Sequence, residues 1–273
     1  MEKIITLDKV SKLDRYVYFD AYLLVNKSFS AFHNLTLSDE STIRMVKRIH
    51  KLNKKAYVLL DRVLFNDELV ELKELVNKLE EVNCDGYFIS DLGAINMLKE
   101  MGLNNKTFFY SQTQIVSKLE YKAYNTYKFK GIFVSKDYPL DNLIKCANEN
   151  TGVGVNIYGY RNLFYSRRAL LSAYKDEYNL KGKFTQSSSY LLREQKRTTK
   201  SIIYEDKHGT YVFTDYIDSH LNEIHELEDN HVEYILIDDN FVEEEQMERV
   251  LDFIKEPSSL YVHSSKEKDT YEK

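Results

Sequence analysis

The sequence predicts an α/β fold, a TIM-barrel-like (β/α) barrel of about seven to eight units with an inserted β-hairpin. Three observations predict it. Short apolar runs alternate with longer amphipathic runs along most of the 273-residue chain. The short runs are apolar throughout, as in parallel strands buried on both faces. The alternation recurs often enough to favour a closed barrel over an open doubly wound sheet.

The elements follow in order. AYLLV (21–25) reads as a strand. Residues 39–52 follow as a helix, with Ile43, Val46 and Ile49 at helical spacing and Ser38 as N-cap. AYVLL (56–60) is the next strand. Residues 67–82 give the clearest helix: Leu69, Leu72, Leu75, Val76 and Leu79 line one face, and acids crowd the first turn, where the helix dipole favours them. Strand GYFI (86–89) leads to helix 91–101, closed by Gly102. Strand TFFY (107–110), helix 116–128, strand GIFV (131–134) and helix 140–149, opened by Pro139, continue the rhythm up to strand VGVNIY (153–158). Gly152 and Gly154 lack the third glycine of a dinucleotide loop and lead into a strand, so they read as a turn.

The pattern then breaks. Residues 161–200 read as a short helix and an irregular segment, and 201–204 with 210–213 as a hairpin around Lys207, His208 and Gly209. Helix 218–229, strand 233–237 and helix 243–255 resume the alternation. One domain is expected over 1–255, with 161–215 inserted after the sixth strand. Residues 256–273 are expected to form a loose tail in which 260–262 is a candidate strand.

Composition narrows the function classes. Hydrophobic residues make up 43% and charged residues 30%, a globular balance. The two cysteines, Cys84 and Cys146, are too few for a disulfide framework or a structural zinc site. Cys84 falls at the entry of a strand and Cys146 inside a helix, so neither is placed as a nucleophile. The N-terminus MEKIITLDKV is charged and has no apolar core, and no apolar run reaches the roughly 18 residues of a membrane span. A cytoplasmic location without membrane contact is expected. No HExxH, GxSxG or P-loop occurs. His220 and His225 lie about 140° apart on a helix, unsuited to one metal, and no metal site is expected.

The net charge of −5 is unevenly spread. Residues 161–200 hold ten basic and three acidic side chains, so this stretch is +7 and the remainder is −12. It reads either as a solvated face or as a local site for an anion. In a barrel, function collects where strands end. Those ends carry Asn26, Asp61 with Arg62, Ser90 with Asp91, Gln112, Lys136 with Asp137, Tyr158 to Arg161, and Asp238 with Asp239.

The segment YGYRNLFYSRRALLSAY (158–174) is the most distinctive in the chain. With YLLREQKRTTKSIIYEDKHGTYVFTD (190–215), and the layout of CDGYFISDLG (84–93), SQTQ (111–114) and VSKD (134–137), it resembles peptidase family U32, the collagenase-like proteases. The matching positions in the first segment are Gly159, Ser166, Arg167, Arg168, Leu170, Leu171, Ser172 and Tyr174. The resemblance implies a peptide hydrolase, with Glu194, Glu205 and His208 as candidate catalytic residues. Arg161, Tyr165, Ser166, Arg167, Arg168, Arg193, Arg197 and Asp206 are candidates for binding substrate, the arginines as carboxylate clamps. These side chains are expected to converge in one pocket at the strand C-termini. A structural salt-bridge network holding the hairpin to the barrel is the competing reading of Glu194, Arg197, Glu205 and Asp206.

Many members of that family hold an iron–sulfur cluster on four cysteines and act in hydroxylation of tRNA, rRNA or quinone precursors. No cysteine lies in or after this signature here, so no cluster and no other cofactor is expected. The second reading is accordingly RNA-linked, resting on the +7 segment interleaved with Tyr158, Tyr160, Phe164, Tyr165 and Tyr174. A third is a catalytically silent partner of a cluster-bearing relative. The expected partners are a peptide or RNA substrate, and a second copy or a family relative in an oligomer.

Overall fold

Every apolar run from Ala21 to Tyr158 becomes a strand, and the amphipathic runs between them become helices on the outside. The computed structural model describes residues 1–269 apart from residues 8, 32, 34, 35, 112, 136, 181–187, 194, 197, 258 and 259. In chain order the strands are β1 (Glu2–Leu7), β2 (Ala21–Val25), β3 (Lys55–Leu60), β4 (Gly86–Ile89), β5 (Thr107–Tyr110), β6 (Gly131–Val134), β7 (Val153–Ser166), β8 (Ser189–Leu192), β9 (Ser201–Asp206), β10 (Gly209–Ser219), β11 (Tyr234–Ile237) and β12 (Glu267–Lys268). The helices are α1 (Asp39–His50), α2 (Glu68–Glu80), α3 (Leu92–Glu100), α4 (Lys118–Asn125), α5 (Leu140–Glu149), α6 (Leu170–Glu177), α7 (Ile224–Asp229) and α8 (Glu244–Lys255).

Strands β1 to β7 pair in sequence, all parallel. β11 closes the ring between β7 and β1, with Leu236 opposite both Asn156 and Ile4. The result is a closed eight-stranded parallel barrel. β1 was not among the expected strands, because its two charged entry residues shorten the apolar run to IITL. The segment beyond 161 therefore follows the seventh barrel strand, not the sixth.

Aromatic side chains fill the barrel. Phe88 and Phe108 stack at 4.5 Å, and Tyr57, Phe133 and Tyr234 lie within 5.0 Å of one or the other. Eight strands leave an interior just wide enough for side chains, and five rings fit because two strands carry glycine at inward positions. A Cβ on Gly131 would lie 2.7 Å from the Phe108 ring, and one on Gly154 would lie 2.8 Å from the Phe133 ring. The expected turn thus ends at Gly152, whose φ is +78°, and Gly154 belongs to the core. A second layer, between strands and helices, is aliphatic, with Val46, Ile49, Leu72, Val76, Leu98, Leu143 and Val250. Among the described residues, no helix is long and apolar enough to cross a membrane.

Past residue 160 the chain departs from expectation. β7 runs on for 14 residues and pairs antiparallel with β10, which pairs with β9, and β9 with β8. This ribbon, with α6, stands on the C-terminal side of the barrel. The expected helix 218–229 is only Ile224–Asp229, because Asp218 and Ser219 end β10. The tail is docked rather than loose, and 260–262 forms no strand: β12 pairs with β10, and Glu267 is buried. Its Oε1 accepts the phenols of Tyr158 at 2.5 Å and Tyr261 at 2.9 Å, and Oε2 accepts the Ser264 amide at 2.6 Å. A carboxylate with three donors is well compensated for burial.

Candidate functional site

Side chains alternate along a strand, so the inward set continues past the aromatic layer to the strand ends. Following Leu59 and Leu236 inward leads to Asp61 and Asp238. Tyr110 and Asn156 complete the floor, where Asn156 Nδ2 donates to the Tyr110 hydroxyl at 3.4 Å. Above it opens a pocket of about 250 Å³ lined by Ala31, Asp61, Val63, Ser90, Tyr110, Ser111, Thr113, Gln114, Asn162 and Tyr165. A wider hollow of about 840 Å³ opens at the opposite end, around Glu2, Asn150 and Glu233. It faces the strand N-termini, where barrels keep stability rather than chemistry.

Several rim residues are committed to holding loops. Asn26 accepts the Ser28 and Phe29 amides, and Asp91 caps α3. Asp239 takes Thr6 Oγ1 at 2.9 Å, Lys12 Nζ at 2.6 Å and the Tyr16 hydroxyl at 2.7 Å. Asp61 and Asp238 are different. Asp61 Oδ1 accepts the Ala31 amide at 2.7 Å, and the group lines the pocket. Burial pushes its pKa up; Asp238 adds to the rise, and His33 opposes it. Asp238 Oδ1 accepts the Asn240 amide at 3.0 Å and lies 3.9 Å from His33 Nδ1, a buried atom that makes no hydrogen bond. Gly159 makes the close approach to Asp238 possible: its φ is +137°, and a Cβ there would meet the Asp238 carbonyl at 2.5 Å.

Arg161 is, with Arg62, a buried cation at this end of the barrel. It is 2% exposed. Nε donates to Asp218 Oδ2 at 2.9 Å and Nη2 to the Asn156 carbonyl at 2.5 Å, while Nη1 is buried without a hydrogen bond. The guanidinium holds Asp218 down to about 2 against the opposing effect of burial. Two carboxylates, an imidazole, a phenol and a guanidinium thus meet at one end of a closed barrel. The arrangement suits recognition of a small polar group and transfer of a proton.

The family model for peptidase family U32 matches residues 16–273. The chain belongs to peptidase family U32. It is 23% identical over 245 residues to "tRNA hydroxylation protein P2" of Bacillus subtilis, covering 86% of this chain and 76% of that protein. An "uncharacterized protease" of Methanocaldococcus jannaschii is 28% identical over 41% of this chain, but the match spans only 26% of that protein. "tRNA hydroxylation protein P" of Helicobacter pylori is 25% identical over 45% of this chain and 30% of its own length. Among solved structures, a U32 peptidase superposes with a TM-score of 0.56 at 9% identity, covering 87% of this chain and 92% of that one, a likeness of fold.

Of the U32 residues singled out in the sequence, the pocket takes Tyr165. Its ring stacks on Tyr211 at 4.7 Å, and its hydroxyl donates to the His208 carbonyl at 3.2 Å. Glu205 is turned away from the pocket. Its carboxylate receives the Leu171 amide at 2.6 Å, the Ser172 amide at 3.2 Å, the Ser172 hydroxyl at 2.5 Å and the Thr210 hydroxyl at 2.9 Å. It seats the N-terminus of α6, a favoured place for an anion. His208 sits at the β9–β10 turn against Arg62, and burial, reinforced by the Arg62 charge, lowers its pKa to about 4. Asp206 accepts the His208 amide at 2.8 Å. Arg167 donates to the Val63 carbonyl, pairs with Glu68 at 3.2 Å and lies over the Phe65 ring. Ser166 Oγ accepts the Arg168 amide, and the side chains of Arg168 and Arg193 are exposed. Glu194 and Arg197 lie outside the described residues, as do the rim positions Gln112 and Lys136. Tyr165, Asp206 and His208 thus meet at the β9–β10 turn, while Glu205 and Arg167 fix the ribbon instead of lining the pocket.

Sequence reasoning placed Asp61 and Asp238 on the rim without adding them to the site, and it missed His33, Tyr110 and Asn156. Strand parity was available for Tyr110 and Asn156. Nothing marks His33, which reaches the mouth from a loop.

The thiols stand apart from all this. Cys84 donates to the Ala56 and Gly86 carbonyls, and burial pushes it up to about 12. Cys146, in α5, is also raised by burial. Two buried thiols on separate elements do not make the four-thiolate set of a cluster.

Proposed function

We propose that this U32 protein acts in tRNA modification, binding tRNA along the ribbon and receiving one nucleoside in the barrel-mouth pocket. The observation that carries the reading is the placement of the basic, aromatic segment. Its described part beyond Asn162 forms the ribbon and α6 beside the mouth, where Phe164 and Tyr174 are exposed, while Tyr158, Tyr160 and Tyr165 pack inward. Phe164, Tyr174, Tyr178 and Leu191 are exposed there, with Arg168, Arg193, Lys196, Lys200 and Lys207. Exposed rings give stacking platforms, and exposed cations pair with phosphates. The 250 Å³ pocket suits a single base rather than a folded chain. The name carried by the relative that aligns over most of this chain agrees. This chain supplies recognition, and the redox step falls to a second, cluster-bearing protein.

Two measurements test it. Nucleoside mass spectrometry of tRNA from cells lacking the gene is expected to show loss of a nucleoside whose base carries an added hydroxyl, with its unhydroxylated precursor accumulating. Purified protein is expected to bind tRNA with an affinity that falls steeply with salt. Unchanged nucleosides together with no tRNA binding overturn the reading.

A specific observation favours peptide hydrolysis as a second reading. Asp61, with its raised pKa, lies near Asp238 and His33, a set able to hold and activate a water. Cleavage of a mixed peptide library, abolished in Asp61→Asn, would establish it, and an intact library rules it out.

A further inference from the structure

Behind Arg161 lies a second cluster that the barrel mouth does not use. His220 is 1% exposed. Its Nε2 is 3.1 Å from Asp218 Oδ1, and Asp218 is itself held by Arg161. With the proton on Nε2 toward Asp218 the neutral ring presents the Nδ1 lone pair, and with a second proton on Nδ1 it donates to Asp269 instead. Nδ1 faces two more carboxylates, with Asp269 Oδ1 at 3.2 Å and Glu223 Oε2 at 3.9 Å. Glu223 Oε2 is a buried atom that accepts no hydrogen bond. One donor atom from each of His220, Glu223 and Asp269 lies within 4.8 Å of the others.

Two carboxylates converging on one imidazole with little water need positive charge among them, which a second proton on the ring, bridging to Asp269, or a metal ion supplies. A tetrahedral ion with bonds of about 2.0–2.2 Å holds its donors roughly 3.3–3.6 Å apart. The distances of 3.2 and 3.9 Å straddle that spacing. One imidazole and two carboxylates form a borderline donor set, suited to a first-row divalent ion rather than to calcium or magnesium. Asp218 supplies the outer carboxylate that metal-bound histidines commonly have.

We propose that His220, Glu223 and Asp269 bind one first-row divalent cation, with water at the fourth position. The three ligands come from the end of β10, the turn before α7 and the tail after β12, so the ion fastens the C-terminal segment to the barrel. Through Asp218 it also steadies Arg161 at the barrel mouth. The inference stands apart from the tRNA reading and survives its failure.

The test uses the full untagged chain, stripped with EDTA and titrated with Zn²⁺ by calorimetry, with thermal unfolding in parallel. One Zn²⁺ per chain and a higher Tm with metal are expected. Glu223→Gln lies at the partly open edge of the cluster and keeps the shape of the side chain. It is expected to weaken binding at least tenfold and to remove the Tm rise, and Asp269→Asn is the second variant, with circular dichroism to confirm that both fold. No stoichiometric Zn²⁺ overturns the proposal, and so does binding equally tight in both variants; a proton shared within the cluster then accounts for its geometry.

Discussion

The barrel interior and the ribbon use the same residue types in opposite ways. In the barrel, Tyr57, Phe88, Phe108 and Phe133 are at most 1% exposed and pack on one another. In the ribbon and α6, Phe164, Tyr174 and Tyr178 are 44–63% exposed, while Tyr204, Tyr211 and Phe213 of the ribbon pack together. The barrel rings are surrounded by strands on every side. The ribbon is a single antiparallel layer, in which one face can be packed and the other left toward solvent. Aromatic content thus reports packing in one region and, on the proposed tRNA reading, a surface for a partner in the other. The ribbon is held in place by a small aromatic cluster of Tyr204, Tyr211 and Phe213 and by polar anchors: Glu205 under α6, and Arg167 on Glu68 and Val63.

Four measurements sharpen or break this contrast. The largest effect is expected from Phe108→Ala, which empties the centre of the barrel and is expected to cost about 3–5 kcal/mol in denaturant unfolding. Phe164→Ala serves as its partner and is expected to change stability by less than about 0.5 kcal/mol. Equal losses in the two would erase the contrast. Next comes Glu205→Ala, which strips the buried donors of α6 of their acceptor, at about 1–3 kcal/mol. Hydrogen exchange should show the loss as early opening of α6 and β9 with the barrel still protected. If the barrel opens with them, the ribbon is not a separate layer in energy.

A smaller effect is expected on binding. Replacing Arg168 and Arg193 by alanine is expected to lower tRNA affinity several-fold and flatten its salt dependence, with Tm unchanged. A salt slope equal to wild type would place the nucleic acid elsewhere.

The smallest effect concerns protonation. His208 beside Arg62 has its pKa lowered to about 4, so the ring stays neutral down to that pH. Its unfolded value is near 6.5, so between about pH 6.5 and 4 the unfolded chain binds the extra proton. This group's contribution is therefore present above pH 6.5 and is lost as pH falls toward 4. An NMR titration of the imidazole checks it: a midpoint near 6.5 would mean that the turn is not packed on Arg62.

Strand and helix positions were legible where one periodicity held over a whole element. GYFI, TFFY and GIFV are strands with the expected ends, and helix 140–149 has its expected bounds. Ser38 caps α1 through its hydroxyl, as the N-cap reading required. The sequence was less legible where a strand outlasts its apolar run. β7 continues through Tyr160 to Ser166 because β10 supplies hydrogen-bond partners, which no local pattern records. Glu205 illustrates the limit for function: an acid beside an Asp-Lys-His-Gly turn reads as a general base, yet α6 folds onto it and takes its lone pairs.

By itself, the sequence determined the α/β barrel, its membership of peptidase family U32 through the 158–174 and 190–215 segments, and the concentration of positive charge after residue 160. These are properties of local period and composition, which a linear chain already contains. Tertiary structure alone decided which polar groups meet. His33 reaches Asp238 across roughly two hundred residues of chain, Arg161 reaches Asp218 through the β7–β10 pairing, and His220 meets Asp269 rather than His225. Such contacts depend on strand register and barrel closure, and both are set by packing the whole ring at once.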